Sequence, residues 1–288
     1  MSEKMLHPKS NEHRTWLQDL DSQFNHVRRR GILGQVGWFA RKGPVGAAKS
    51  GYRFVRSAVA TYVDHRFDAK YGTDTSGFTP PSELTMDAAA RNNAFEYMPT
   101  TVPCFDFLMG KVSGDLSRFT FIDFGSGKGR TLILARERGF QQAVGIEFCS
   151  ELVRVAVDNK ARLEGQGFDT SAMSTIHTNA LDYALPDGPC VLYFYAPFKS
   201  PVIDGVIDNV HATLQAANRE IYIVYLDYVH EGYPIPLELL SRPPFTEVAS
   251  GRVPAHFASS QPLIYCVMRA GAPDEATSDP DFREARKP

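Results

Sequence analysis

The residues best equipped for chemistry lie between Asp123 and Glu147. The run Asp123-Phe124-Gly125-Ser126-Gly127-Lys128-Gly129-Arg130 joins an acid, a hydroxyl and three alternating glycines, and Glu147 follows eighteen residues past Gly129. Alternating glycines let a backbone turn sharply and approach a ligand with no Cβ in the way. Where such a turn opens a helix, unpaired N–H groups and the positive end of the helix dipole favour a carboxylate on the ligand. Glu147 adds a carboxylate that could hold a pair of ribose hydroxyls.

The flanking pattern supplies the elements that must position these groups. Phe119–Phe124 is apolar except for Thr120 and Asp123, which predicts a strand buried on both faces. A helix through Leu132, Ile133, Leu134 and Ala135 stops at Arg138-Gly139. Ala143–Glu147 then reads as a second strand. Strand, glycine turn, helix and strand make a nucleotide-binding type of unit.

Two kinds of ligand suit such a unit. A dinucleotide calls for G-x-G-x-x-G, but the bulky Arg130 stands where that pattern has its third glycine. The string D-x-G-S-G-x-G-R, with Glu147 at its spacing, resembles the class I (Rossmann-like) S-adenosylmethionine-dependent methyltransferases. The resemblance implies an α/β fold: a Rossmann-like, seven-stranded, mostly parallel sheet with helices on both faces and a C-terminal antiparallel hairpin. It implies S-adenosylmethionine as cofactor and no metal. Asp123 is then expected near the methionine amino group, with Gly125, Ser126, Gly127 and Gly129 around the ligand and Glu147 on the ribose. Phe148 is placed to wall the adenine, and Asn179-Ala180-Leu181-Asp182-Tyr183 resembles the loop whose acid, here Asp182, meets the adenine amino group. Tyr97-Met98-Pro99-Thr100 resembles a segment that opens the helix before the glycine turn in Rossmann-type protein lysine methyltransferases. That makes Tyr97 and Thr100 cofactor-pocket candidates, unless Tyr97 and Pro99 merely fix the helix entry.

The rest of the chain fills in the same plan. Tyr71–Pro81 is dense in turn formers and is expected as a loop at the mouth of the site, its Asp74, Thr75 and Ser76 bonding a ligand or their own backbone. A helix is expected from Ser82 to about Asn93, and another after Thr100 or Thr101 as N-cap, with Pro103 in its first turn. Ser150 is expected to cap a helix to about Leu163. Ser174–His177, Cys190–Tyr195 and Ile221–Leu226 read as further strands, and Phe245–Ala249 with Pro262–Val267 as the closing hairpin. After Tyr195 comes Ala196-Pro197-Phe198. Amino-directed methylases of nucleic acid carry Asp or Asn at the first of these positions, and Ala196 removes that acceptor, so a base-flipped nucleic acid is not expected as substrate.

Methyl transfer is in-line displacement at an activated methyl, so positioning dominates and a base is needed only if the acceptor must lose a proton. Asp227, His230 and Tyr195 stand at carboxyl ends of strands, where α/β sheets bind ligands, and are the catalytic candidates. The acceptor is open between a protein side chain such as lysine and a small metabolite. An NAD-dependent oxidoreductase and a non-catalytic S-adenosylmethionine-binding domain are the competing readings.

Composition sets the outer bounds. The 288 residues, 43% hydrophobic and 11% aromatic, are ordinary for a folded protein. Three parts are expected: a basic, partly helical N-terminal extension (1–80), the methyltransferase domain (81–270) and a disordered, acidic, Pro-containing tail (271–288). Residues 1–56 carry eleven Lys/Arg against four Asp/Glu, +7, which leaves −9 for 57–288 within the net charge of −2. The arm could contact an anionic surface weakly through residues 28–56, or dock on its own domain. Four scattered cysteines, no signal-peptide pattern and no membrane-length apolar run lead to the expectation of a cytoplasmic protein.

Overall fold

The computed structural model describes residues 62–63, 65–86, 88–217, 219–228, 235–257 and 262–271. The basic arm at 1–56, His230 and the acidic tail beyond Gly271 lie outside the described residues. Seven strands form one sheet: β1 (Thr120–Phe124), β2 (Gln142–Glu147), β3 (Met173–His177), β4 (Cys190–Tyr195), β5 (Ile221–Tyr228), β6 (Thr246–Arg252) and β7 (Leu263–Ala270). Their order across the sheet is β3-β2-β1-β4-β5-β7-β6. The β1–β2, β2–β3, β1–β4 and β4–β5 pairs are parallel, and β7 runs antiparallel to both β5 and β6. The fold is Rossmann-like.

The helices are α1 (Ala88–Asn93), α2 (Val102–Met109), α3 (Arg130–Glu137), α4 (Ser150–Gly165), α5 (Val202–Ala216) and the short α6 (Leu237–Leu240). Strand alternation sorts the core into two layers. Phe121, Val191, Tyr193, Tyr222, Val224 and Leu226 face α2, α3 and the end of α4 through Phe105, Leu108, Leu132, Ile133 and Leu163. Ile122, Phe124, Leu192, Phe194, Ile223 and Tyr225 face α5 through Ile203, Val206, Ile207 and Val210. Each large apolar side chain removed from water in this way contributes about 1.5–3 kcal/mol, so both faces must be covered. Among the described residues no helix is long and apolar enough to cross a membrane.

Local departures from the sequence expectations have local causes. The helix expected from Ser82 to Asn93 is a 3-10 turn at Pro81–Glu83 followed by α1. It is interrupted because Leu84 turns into an apolar cluster with Cys149 and Leu152, and the Thr85 N–H donates to Glu151 Oε1 at 2.9 Å. Ser150 is the first residue of α4 and not its cap; Cys149 holds that position without a side-chain bond to the N–H groups of the first turn. Of the two threonines weighed as cap of α2, Thr101 does it, accepting from the Cys104 N–H at 3.3 Å.

Candidate functional site

Strand order reverses between β1 and β4, and ligands of open α/β sheets bind at such switch points, outside the carboxyl ends of the strands. A cavity of about 410 Å³ opens there. Its floor is Asp123 and the glycine turn; its walls are Glu147, Phe148 and Cys149 after β2, Asn179 and Ala180 after β3, and Tyr195 to Phe198 after β4. The segment from Asn93 to Thr100 roofs it. That roof is stitched on both sides. Thr79 bridges Tyr97, Ala94 bridges Phe198, and the Lys199 N–H donates to the Asn93 carbonyl at 3.0 Å.

The glycine turn is shaped by protein neighbours as much as by space for a ligand. Gly127 has φ 54°, and a Cβ on it would lie 2.3 Å from Cδ2 and Cε2 of the Tyr97 ring. Gly125 has φ 84°, and its Cβ would meet Pro197 Cβ at 2.6 Å. Roof and post-β4 loop thus both rest directly on the turn, which only glycine permits. Gly129, at φ 83°, is the N-cap of α3.

Three groups on this scaffold face the cavity with capacity to bind. Asp123 sits between Gly145 and Tyr193 in the sheet register and accepts from the Thr131 hydroxyl. Burial pushes its carboxyl up to about 7, against the Thr131 hydrogen bond and with help from the charge of Glu147. Glu147 accepts from the Gly127 N–H at 2.8 Å on one oxygen and from the Cys149 N–H at 2.9 Å on the other. Burial raises its pKa, opposed by those N–H groups. Two bonds leave a carboxylate with spare lone pairs for two hydroxyls. The Ser126 hydroxyl is buried, lines the cavity and has no hydrogen-bond partner among the described residues.

Behind the roof lies a network whose partners are far apart in sequence. Asp68 accepts from Thr73 Oγ1, the Thr75 N–H and hydroxyl, and the Ser76 N–H at 2.6–2.9 Å. Burial works to raise its pKa, but the bonds from Ser76 and Thr75 and the charge of Arg130 outweigh it and hold the carboxyl low. Arg130 is buried, lies over the Phe67 ring at 4.5 Å, and donates to Thr75 Oγ1 at 2.8 Å and Ser76 Oγ at 3.2 Å. Asn159 on α4 bonds both backbone groups of Asp74 and the Lys128 carbonyl at 2.7–3.1 Å. The Tyr97 hydroxyl donates to the Thr75 carbonyl at 2.7 Å. The loop at 71–81 therefore buttresses the glycine turn; its Asp74, Thr75 and Ser76 bond protein and do not line the cavity.

The expected site residues divide as follows. The structure brings Tyr97, Thr100, Asp123, Gly125, Ser126, Gly127, Glu147, Phe148 and Tyr195 to one cavity. Gly129 shapes the turn without lining it. Thr100 is buried and bonds the Tyr193 hydroxyl at 2.8 Å. Phe148 is 45% exposed, an apolar ring face at the lip. Asp182 differs from expectation: it ends a 3-10 turn (Ala180–Asp182), is exposed, and leaves Asn179 and Ala180 to line the wall. Asp227 also differs, because strand alternation turns it to the face opposite Tyr228, and it accepts there from the Tyr228 N–H at 2.6 Å. Tyr195 lines the cavity, but burial raises its phenol well above the ordinary value, so it is a neutral hydroxyl and not a base. The four cysteines are buried and free; burial pushes Cys149, the one at the cavity, up to about 11. Sequence reasoning missed Asn159, Thr131, Asp68 and Glu96. Asn159 was detectable as a polar residue on the apolar stripe Leu152, Ala156, Leu163 of its helix, all buried.

No family model and no curated protein matches the chain. Solved structures similar to it include the 4+2 cyclase SpnF (14% identity, 60% of this chain and 82% of that one, TM-score 0.44). Others are a ribosomal protein L11 methylase of Lactobacillus delbrueckii subsp. bulgaricus (14%, 58% and 77%, 0.41) and a SAM dependent methyltransferase of Aquifex aeolicus (12%, 57% and 88%, 0.41).

Proposed function

We propose that the chain binds S-adenosylmethionine in the cavity over the glycine turn and transfers its methyl group to a nucleophilic acceptor. The observation that carries this reading is the meeting, in one cavity, of the unpartnered Ser126 hydroxyl with the carboxyl groups of Asp123 and Glu147. Those are the groups an amino-acid nucleoside requires. Ser126 and the N-terminus of α3 suit its carboxylate, Asp123 its ammonium and Glu147 its ribose hydroxyls. Phe148, Leu84, Met86 and Leu152 give apolar walls for the base. The bound sulfonium would supply an already activated methyl, so the residues of this chain have to align the acceptor and exclude water. The roof of residues 93–100 does the second, being pinned to the turn, the buttress loop and the post-β4 loop.

The dinucleotide reading fares worse on the same residues. Its pattern needs a small residue where Arg130 projects into the buttress network. Calorimetric titration with S-adenosylmethionine, S-adenosylhomocysteine and NAD separates the classes: the first two are expected to bind and NAD is not. Preferential NAD binding would falsify the proposal. Glu147→Gln keeps an amide oxygen for one of the two N–H groups of Gly127 and Cys149 but turns its NH2 towards the other, and should weaken S-adenosylhomocysteine binding by at least about tenfold. Glu147→Ala is the poorer probe, because it also strands the buried N–H groups of Gly127 and Cys149.

A further inference from the structure

Part of the cavity is left over once Asp123, Ser126 and Glu147 are assigned. It lies under the roof beside the ends of β4 and β5, lined by Phe95, Glu96, Tyr195, Phe198 and Tyr228. The Tyr195 and Tyr228 rings pack at 5.5 Å. The Tyr228 hydroxyl points to Met98 Sδ at 2.9 Å, and the buried Tyr195 hydroxyl lies beside it. Glu96 makes no hydrogen bond or ion pair among the described residues, and its charge acts on Tyr228. So this corner holds one carboxylate with no hydrogen bond or ion pair among the described residues, the buried Tyr195 hydroxyl and four aromatic rings.

Charge decides what such a corner accepts. Among the described residues three carboxyl groups line the cavity, Glu96, Asp123 and Glu147, against one guanidinium, Arg130, which is committed to Thr75 and Ser76. Lys199 stands outside, over the Phe95 ring at 5.3 Å. An anionic acceptor would be repelled, and a neutral one would leave Glu96 desolvated without a partner. An ammonium satisfies the carboxylate and hydroxyl together, and aromatic faces add cation–π attraction. The planar-amide alternative lacks its acceptor, since Ala196, at φ 38°, occupies the turn after β4 with no polar side chain.

We propose that Glu96 and the Tyr195 hydroxyl form the acceptor subsite, that it binds a primary alkyl ammonium, either a free amine or a lysyl side chain, and that the Glu96 carboxylate takes the proton this ammonium must lose before the neutral amine can attack the methyl group. The proposal rests on the methyltransferase reading for the identity of the neighbouring ligand, but the subsite itself is testable without turnover. Protein with and without saturating S-adenosylhomocysteine is titrated with n-butylamine, with Nα-acetyl-lysine methylamide, and with n-butanol and butyrate as neutral and anionic controls, followed by calorimetry and ligand-observed NMR. The amines are expected to bind and the controls not. Stronger binding of butylamine points to a free amine; stronger binding of the lysine derivative points to a protein acceptor. Glu96→Gln should weaken the amine by at least about tenfold and Tyr195→Phe by severalfold, both leaving S-adenosylhomocysteine affinity within about twofold. Equal binding of butanol or butyrate, or amine affinity unmoved by both substitutions, overturns the subsite. Failure of S-adenosylhomocysteine to bind, with the amine response intact, overturns only the cofactor reading.

Discussion

Asp123 shows how one buried residue ties stability to binding. Its folded pKa, about 7, stands above the ordinary carboxyl value of 3.8, so between those values the native state holds a proton that the unfolded chain has lost. The contribution of Asp123 to stability is then fully present below about pH 4 and is lost as pH rises to about 7, by at most about 1.4 kcal/mol per pH unit. Asp123→Asn keeps an acceptor for the Thr131 hydroxyl while removing the ionisation. At pH 8 it is expected to be more stable than the parent by about 2–4 kcal/mol, with a shallower fall in stability than the parent between pH 4 and 7. It should also lose S-adenosylhomocysteine affinity, since the ligand ammonium has no anion to meet. Urea unfolding at pH 5, 6 and 8 checks this; parallel profiles for parent and variant would refute it. Much at this scale was legible in the sequence. Asp123, the glycines and Glu147 announce themselves because one short strand-turn-helix-strand unit carries them all. Asp182 misled because its role depends on how a 3-10 turn orients, which spacing does not encode.

The element that could not be read ahead is the buttress loop. Its turn formers were visible at 71–81, but its partners Arg130 and Asn159 lie 55 and 85 residues from the positions they bond, and no local pattern joins them. Arg130 was visible only as a bulky residue out of place in a glycine motif; the structure gives its reason, a buried guanidinium between Phe67 and the loop. The network predicts that the loop and roof respond as one unit. Asp68→Ala removes the acceptor of four hydrogen bonds and the counter-charge of Arg130, at a cost of about 3 kcal/mol or more. Hydrogen exchange should then accelerate at Thr73, Thr75, Ser76 and Tyr97 while β1 and β4 stay protected, and S-adenosylhomocysteine affinity should fall although Asp68 does not line the cavity. Uniform acceleration across the sheet would mean that Asp68 supports the core and not the roof.

For the whole molecule, the strands were legible as near-continuous apolar runs, while the mostly parallel sheet and its closing hairpin were expected from the resemblance, and the strand order comes from the structure. The cavity did not follow, since its roof comes from residues 93–100, whose position is fixed by bridges to Thr79 and Phe198 and not by their own pattern. The cavity therefore joins parts of the chain that fold by separate contacts: the glycine unit, the loops after β2 to β4, and the roof with its buttress. A ligand that touches all of them binds only the native arrangement and must stabilise the chain by mass action, by about 2.7 kcal/mol at one hundred times its dissociation constant. For a domain of this size that corresponds to a rise in melting temperature of about 5–10 °C. Differential scanning calorimetry with S-adenosylhomocysteine at that concentration should show the rise in the parent and in Tyr195→Phe. It should shrink in Asp68→Ala, whose roof is already loose. A rise of the same size in Asp68→Ala would show that the ligand does not use the roof, and would return the site to the glycine turn alone.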